Sequence, residues 1–243
     1  MDPCKSDIIA QLRKDILPLQ GLKTLSTDNH VNIGFRPIEI AFPGATFPIG
    51  CTHEFLSTPQ NVACTTGFIA VLLSKLMQRG GAAIWIGASR TLFPPALHRF
   101  GIEPDKIIFI DLKKEKDTLY TIEEALKCRQ LTTVIGEIDK ISFKESRRLQ
   151  LAAEQSRVTA LLIRREQHVL NTIASVSRWR ITSLPGELND GMPGVGFPRW
   201  NVELLKIRNG QSGTWKLEWS SNRLKEIREN VFSIQQKKKK KAG

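Results

Sequence analysis

The sequence predicts an α/β domain of three layers, α/β/α, with a mostly parallel central sheet and an antiparallel C-terminal extension. Short apolar runs such as AAIWI (82–86) and KIIFID (106–111) alternate with amphipathic stretches of helical spacing. Such wholly apolar strands are typical of a parallel sheet that is covered on both faces. After residue 174 the alternation stops, and extended segments joined by glycine-rich turns indicate antiparallel pairing.

Length and composition limit the class of protein. The 243 residues suffice for one sizeable domain with short appendages, and 41% hydrophobic residues allow a real core. No apolar run approaches the roughly 20 residues of a membrane span. The N-terminus MDPCKSDIIAQLRKDIL mixes charges with apolar residues, unlike a secretory signal. We therefore expect a cytoplasmic protein that contacts no membrane.

Charge and cysteine content indicate the kind of partner. The net charge is +12, and the C-terminal lysine run 237–241 carries five of these charges, so the remainder is still basic. Excess positive charge favours association with nucleic acid, although ordinary solvated surface is the alternative. Cys4, Cys51, Cys64 and Cys128 form no C-x-x-C pair and have no histidine at metal-ligand spacing. We expect free thiols and no metal.

The two ends of the chain are predicted to lie outside the core domain. Ile8, Leu12 and Ile16 recur every fourth residue before Pro18, which predicts a short amphipathic helix. Glycines and prolines then indicate a linker. Our predicted division is an N-terminal amphipathic helix at 1–20, a linker at 21–45, a core domain at 46–220, and a C-terminal segment at 221–243. Within that last segment we expect a helix at 222–234 and a disordered lysine tail.

The core domain is predicted to have the order β-α-β-α-β-α-β-α-β. End signals mark its helices: Gly80-Gly81 follows the first, Gly101 follows the second, and Ser142 with Glu145 forms a capping box at the fourth. The predicted helices are 63–78, 94–100, 118–129 and 142–156. The predicted strands are 82–86, 106–111, 131–135 and 158–163, followed by extended segments at 174–184, 200–207 and 214–219, the last two joined by a hairpin at Arg208-Asn209-Gly210.

Several stretches resemble the core of RecA-type ATPases. Residues 48–55 look like the approach to the RecA phosphate loop. Residues 85–101 match the length of the segment that carries the RecA catalytic carboxylate, and ASVSRWRI and RWNVELLKIRNG resemble the strands that complete its sheet. The resemblance implies a RecA-like fold for the predicted three-layer domain.

The chemistry of an ATPase is missing from these stretches. A phosphate loop needs G-x-x-x-x-G-K-[ST], because glycine N–H groups wrap the phosphates and the lysine neutralises them. The matching stretch LSTPQNVACTTGF (56–68) has no lysine, and the next one is Lys75. Ser89 stands where RecA has its catalytic glutamate, while Glu137 or Asp139 is the counterpart of its magnesium-holding acid. We predict a protein that is not an enzyme and needs no cofactor; nucleotide binding without turnover stays open.

The whole pattern resembles the ImuA family, RecA-related proteins without a normal phosphate loop. The resemblance covers roughly residues 45–220 and is most specific in SRRLQLAAE and PRWNVELL. It implies an accessory role in SOS-induced, error-prone translesion DNA synthesis, with an ImuB-type relative of Y-family polymerases and a DnaE-type polymerase as partners. RecA and single-stranded DNA are further candidate partners, which would place the protein at the nucleoid. The related SulA proteins share this fold and block cell division by binding FtsZ, which gives the alternative function.

Two sets of residues are candidate contact sites. A basic cluster is predicted to touch DNA phosphates or an acidic partner surface, unless it is a solvated helix face with pairs such as Arg148–Glu154. Its members are Lys140, Lys144, Arg147, Arg148, Arg164 and Arg165, with Arg157 nearby. The second candidate contact is the apolar stripe of the N-terminal helix, Ile8, Leu12 and Ile16. It would bind a second copy of the chain or ImuB, in the way that a helix before the core packs on the neighbouring subunit in RecA filaments. Packing of this stripe on the protein's own core domain is the alternative, and the sequence favours neither of the two.

The tryptophans of the C-terminal segments admit two interpretations. Aromatic side chains are enriched at binding hot spots and stack on bases. At strand spacing, however, they are more often part of the core. We therefore predict that most of Trp179, Trp200, Trp215 and Trp219 are buried.

Overall fold

Nine strands form one continuous sheet in the computed structural model, which describes residues 12, 31–88, 92–165, 171–187 and 196–227. Their order across the sheet is β3-β2-β4-β5-β1-β6-β7-β8-β9. Across the sheet, each pair of neighbouring strands from β3 as far as β6 is parallel, and each pair from β6 as far as β9 is antiparallel. The strands are β1 (Thr52–Ser57), β2 (Ala82–Gly87), β3 (Ile107–Asp111), β4 (Leu131–Ile138), β5 (Thr159–Arg165), β6 (Ser177–Leu184), β7 (Arg199–Ile207), β8 (Gly213–Ser220) and β9 (Arg223–Glu226).

Helices cover both faces of the sheet. The α-helices are α1 (Arg36–Ile40), α2 (Val62–Met77), α3 (Glu115–Lys127) and α4 (Phe143–Ser156), with 3-10 helices at Pro43–Ala45, Pro94–Phe100 and Pro104–Lys106. Leu161 of β5 packs in the core on the α2 side, whereas its neighbours Ala160 and Leu162 pack under α3 and α4. Alternate strand residues thus fill two separate cores, and the predicted three-layer α/β/α fold is confirmed. Among the described residues, no helix is both long and apolar enough to cross a membrane.

Local end signals act as the sequence predicted. The Ser142 N–H donates to Glu145 Oε2 at 2.8 Å, and the Glu145 N–H donates to Ser142 Oγ at 3.2 Å, so the capping box begins α4. The turn after β7 contains Asn209 at φ 58°, a conformation that asparagine tolerates. The segment at 94–100 is a 3-10 helix, and α3 begins at Glu115, three residues before its predicted start.

The predicted linker is wrong over its described part. From residue 31 the chain packs into the α2-side core through a run of buried apolar residues: Val31, Ile33, Phe35, Ile38, Phe42 and Phe47. Val31 pairs with Phe47 in an isolated bridge, and the Ile33 N–H donates to the buried carboxylate of Glu39 at 2.9 Å. The glycines and prolines there make turns within a packed segment, because the apolar residues between them are anchored.

The predicted C-terminal helix is also wrong where the structure describes it. Residues 223–226 are strand β9, which pairs with β8 and buries Leu224. Ser221 and Asn222, at φ 54° and 55°, turn the chain back so that β9 can use the backbone groups at the β8 edge. The rest of the predicted helix and the lysine tail lie outside the described residues.

The tryptophans confirm the core interpretation. Trp179, Trp200 and Trp219 are buried, and Trp215 is partly buried against the same core. Trp179 lies among three phenylalanine rings at centroid distances of 5.9 to 6.1 Å: Phe42, Phe55 and Phe68. These aromatic contacts join the antiparallel extension to the parallel part of the sheet.

Candidate functional site at the carboxyl edge of the sheet

The carboxyl ends of β1, β3, β4 and β5 meet at one edge, where open α/β sheets bind ligands. A cavity of about 350 Å³ opens there. Hydroxyl, basic and acidic side chains line it: Ser57, Thr58, Thr66, Lys113, Glu115, Thr118, Glu137, Asp139, Arg164 and Arg165. This is the place that a nucleotide occupies in an α/β ATPase.

The loop at this cavity is short and lacks the residues of a phosphate loop. Strand β1 ends at Ser57 and α2 begins at Val62, which leaves only residues 58–61, TPQN, for the connection. The Asn61 side-chain amide donates to Thr58 Oγ1 at 3.1 Å, so the turn is closed on itself. It contains neither glycine nor lysine, and Lys75 lies in the last turn of α2, at the far end of the helix. The connection between β1 and α2 thus lacks the glycines and the lysine of a phosphate loop.

An acidic residue remains at the end of β4. Trp85 Nε1 donates to Glu137 Oε1 at 2.7 Å, and a Cβ on Gly87 would lie 2.7 Å from Glu137 Oε2. Glycine at position 87 thus allows the carboxylate to lie over β2. Burial raises the pKa of Glu137, the Trp85 hydrogen bond opposes that rise, and the charge of Asp111 adds to it. Ser89, the counterpart of the catalytic glutamate, lies outside the described residues.

Arg164 belongs to the interior and not to the exposed basic cluster. It is 2% exposed, its Nη1 pairs with the fully buried carboxylate of Glu54, and its Nη2 donates to Asn171 Oδ1 at 2.7 Å. Arg178 Nε donates to the other oxygen of Glu54 at 2.6 Å. Asn171 in turn donates to the Ile141 carbonyl at 2.7 Å. The prediction of a partner contact at Arg164 fails because its guanidinium is committed to this network.

The other members of the predicted basic cluster lie at the surface. Lys140 precedes α4, and Lys144 and Arg147 lie on the exposed side of that helix. Arg165 is exposed and pairs with Asp139 at 3.4 Å. Arg157, at the far end of α4, is not part of this group.

Arg148 also lies at this surface, but its partner differs from the predicted one. Its guanidinium pairs with Glu123 of α3. Glu154 instead accepts a hydrogen bond from Gln150 Nε2 at 2.7 Å. Because α3 packs beside α4, the pair is formed between helices and not along one helix.

The buried ion network of Glu54, Arg164 and Arg178 was not predicted, although the sequence contains one signal for it. Glu54 directly precedes the apolar pair Phe55-Leu56 in THEFLS, a strand whose six residues are all buried, and a buried charge needs a partner. Arg164 and Arg178 come from β5 and β6, on either side of β1. Glu54 meets both arginines only because β1 lies between β5 and β6 in the sheet, and no local sequence pattern contains that strand order. Within the described ranges, no group of three or more His, Cys, Asp and Glu side chains is placed to hold a metal ion.

Comparison with solved structures agrees with the fold. The crystal structure of the RadB recombinase superposes with a TM-score of 0.58 at 12% sequence identity, covering 82% of this chain and 100% of that one. No model of a known protein family matches the chain. Fold and site together define a RecA-like domain whose described residues contain no phosphate loop.

Comparison with curated sequences identifies the family. Protein ImuA of Caulobacter vibrioides is 30% identical over 201 residues, covering 77% of this chain and 82% of the relative. The cell division inhibitor SulA of Erwinia pyrifoliae is 26% identical over 144 residues, covering 59% of this chain and 86% of that protein. The chain belongs to the ImuA family.

Proposed function

We propose that this protein is a non-catalytic accessory factor in SOS-induced, error-prone translesion DNA synthesis. One observation carries the proposal: a member of the ImuA family keeps the RecA-like sheet but connects β1 to α2 by four residues without glycine or lysine. Phosphoryl transfer depends on positioning and neutralising the phosphates. The cavity is also lined by Lys113, Arg164 and Arg165, but Arg164 pairs with Glu54 and Arg165 with Asp139.

In this role the domain holds other proteins together. The proposed partners are an ImuB-type protein and a DnaE-type polymerase, with RecA and single-stranded DNA as further candidates at the nucleoid. Ile8, Leu12 and Ile16 are the proposed protein contact, to ImuB or to a second copy of the chain. Leu12 is about half exposed, while Ile8 and Ile16 lie outside the described residues.

Two measurements together test the scaffold role: binding of the partner proteins and hydrolysis of ATP. We expect the purified full chain to co-purify with its ImuB and DnaE partners and to hydrolyse no ATP, with or without single-stranded DNA. Deletion of residues 1–20 should weaken self-association or ImuB capture. ATP turnover above the level of a mock preparation, or loss of both partners, would reject the role, and unchanged association after the deletion would reject the N-terminal contact.

The exposed basic surface of Lys140, Lys144, Arg147, Arg148 and Arg165 is the proposed contact with DNA phosphates or with an acidic partner surface. Arg147 has no carboxylate partner among the described residues. Cations that neutralise phosphates release counterions, so affinity falls with salt.

Charge reversal tests this surface. Arg147→Glu with Arg148→Glu should weaken anisotropy-detected binding to a single-stranded oligonucleotide by tenfold or more and flatten its salt dependence. Arg223→Glu with Lys225→Glu on β9 is the matched control, since both side chains are exposed and the charge change is equal. If ImuB capture falls instead of DNA binding, the surface contacts the acidic partner. If neither DNA binding nor ImuB capture changes, this surface contacts neither DNA nor the acidic partner.

The similarity to SulA supports one alternative, a cell-division inhibitor that binds FtsZ. That similarity covers 59% of this chain, against 77% for ImuA. Purified FtsZ separates the two functions, because an inhibitor lowers FtsZ assembly at stoichiometric ratios whereas a repair factor leaves it unchanged.

A further inference from the structure

A second cavity, of about 320 Å³, lies at the opposite, amino edge of the parallel sheet. Three helix-to-strand connections meet there, and each contributes one arginine. Arg79 follows α2, Arg129 follows α3, and Arg157 follows α4. The remaining lining residues are apolar or neutral: Ile49, Leu76, Gly80, Gly81, Gln130, Leu131, Thr132 and Thr159.

No carboxylate lines this cavity among the described residues. Arg129 and Arg157 have exposed side chains, and neither pairs with an acidic group in the part of the chain that the structure describes. Arg129 and Arg157 thus bring two positive charges to one cavity without a counter-charge from the described residues, and an anion there would supply it.

Helix dipoles explain only part of this arrangement. Arginines after helices interact favourably with the negative helix C-terminus, which is equivalent to about half a charge per helix. The ends of α3 and α4 therefore offset about half of the charges of Arg129 and Arg157. The dipole explains why each arginine follows its helix.

Glycine at position 81 lets the connection after α2 pack closely on the start of β4. A Cβ on Gly81 would lie 2.6 Å from Thr132 Oγ1 and 3.0 Å from the Gln130 carbonyl oxygen, whereas a Cβ on Gly80 would meet open space. Thr132 Oγ1 donates to the Gly80 carbonyl at 2.6 Å, which joins the connection after α2 to β4. Arg157 has φ 70°, a region that favours glycine, yet a long basic side chain is placed there.

We propose that this cavity binds a phosphate group. Guanidinium groups match phosphate oxygens in bidentate geometry, and an arginine cluster is a recurring phosphate receptor. The side-chain amide of Gln130 supplies a neutral donor beside them. The phosphate comes either from a small phosphate compound or from a nucleic-acid strand. The site stands apart from the carboxyl edge and does not depend on the proposed accessory function.

Calorimetric titration of the full chain tests the site. The probes are inorganic pyrophosphate and a single-stranded oligonucleotide with or without a 5′-phosphate, at constant ionic strength. We expect saturable binding of at least one probe that weakens tenfold or more in a variant with Arg129→Gln and Arg157→Gly. A control with Arg223→Gln and Lys225→Gln should bind within twofold of the unmodified chain. Arg129→Gln alone, at an exposed side chain, preserves the test if the double variant fails to fold.

The probes distinguish the sources of the phosphate. Variant-sensitive pyrophosphate binding indicates a small compound, whereas dependence on the 5′-phosphate indicates a strand end. Variant-sensitive binding of both oligonucleotides alike indicates the strand backbone. The proposal is overturned if no probe binds saturably, if the arginine variants bind unchanged, or if a polyglutamate peptide binds more tightly than every phosphate probe.

Discussion

Replacement of Glu54 should destabilise the fold strongly, because its charge is buried between two arginines. Its fully buried carboxylate pairs with Arg164 and Arg178, so Glu54→Gln leaves two guanidinium groups without their counter-charge. Breaking a buried pair from one side typically costs about 3–5 kcal/mol. We therefore expect the free energy of unfolding in urea to fall by about 3 kcal/mol.

The control for Glu54 is a pair nearer the surface. Glu203 lies 3.9 Å from Arg180, and both side chains are partly exposed. Glu203→Gln should change the unfolding free energy by less than about 1 kcal/mol. Equal losses in the two variants would mean that the buried network contributes no more than a surface pair.

His53 should make the fold sensitive to acid. It is fully buried, and burial lowers its pKa to about 4 from 6.5, opposed by its hydrogen bond to the Pro48 carbonyl. Nε2–H donates to that carbonyl at 2.9 Å, and Nδ1 lies 2.7 Å from Ser177 Oγ, which satisfies the neutral ring. Because the unfolded chain takes up a proton first, stability is retained above pH 6.5 and falls by about 3 kcal/mol as the pH drops towards 4.

Urea unfolding at several pH values measures this effect. His53→Gln should flatten the decline between pH 6.5 and 5, whereas His98→Gln, at an exposed histidine, should leave it unchanged. An unmodified chain whose stability is level from pH 7 to 5 would contradict the prediction.

At the scale of elements, Gly136 sets how closely α3 packs on β4. A Cβ there would lie 2.3 Å from Ile122 Cδ1 and 2.9 Å from Ile122 Cγ1. Overpacking a core typically costs about 1–3 kcal/mol, so Gly136→Ala should destabilise the fold by that amount. Ile122→Val removes Cδ1 and should recover part of the loss in the double variant. Purely additive losses in thermal unfolding would show that the two positions do not compete for this space.

Elements with their own end signals were predictable, and those shaped by neighbours were not. Ser142 and Glu145 begin α4 through contacts within four residues, and the turn after β7 is equally local. Leu224 and Ile227 are spaced as on one face of a helix, yet pairing with the β8 edge makes residues 223–226 a strand. Tertiary hydrogen bonds overrode a weak local preference.

For the whole molecule, β9 determines where the folded sheet ends. A chain that stops after residue 227 retains β9 and should keep its melting temperature, although it lacks the lysine run. A chain that stops after residue 221 exposes the β8 edge and removes the buried Leu224. We expect that shorter chain to melt at least 5 °C lower and to aggregate, since an uncovered edge strand pairs with other chains. Equal melting temperatures would contradict the role of β9.

By itself, the sequence determined the layer order, the missing phosphate loop and the resemblance to ImuA, because periodicity and motifs are written in local residues. Only the tertiary structure decided which arginines are surface groups. Arg164 and Arg165 are adjacent in β5, but alternation sends one inward to Glu54 and the other to solvent. It also brought Arg79, Arg129 and Arg157 to one cavity from three separate connections. Such groupings depend on strand order, which is a property of the folded sheet.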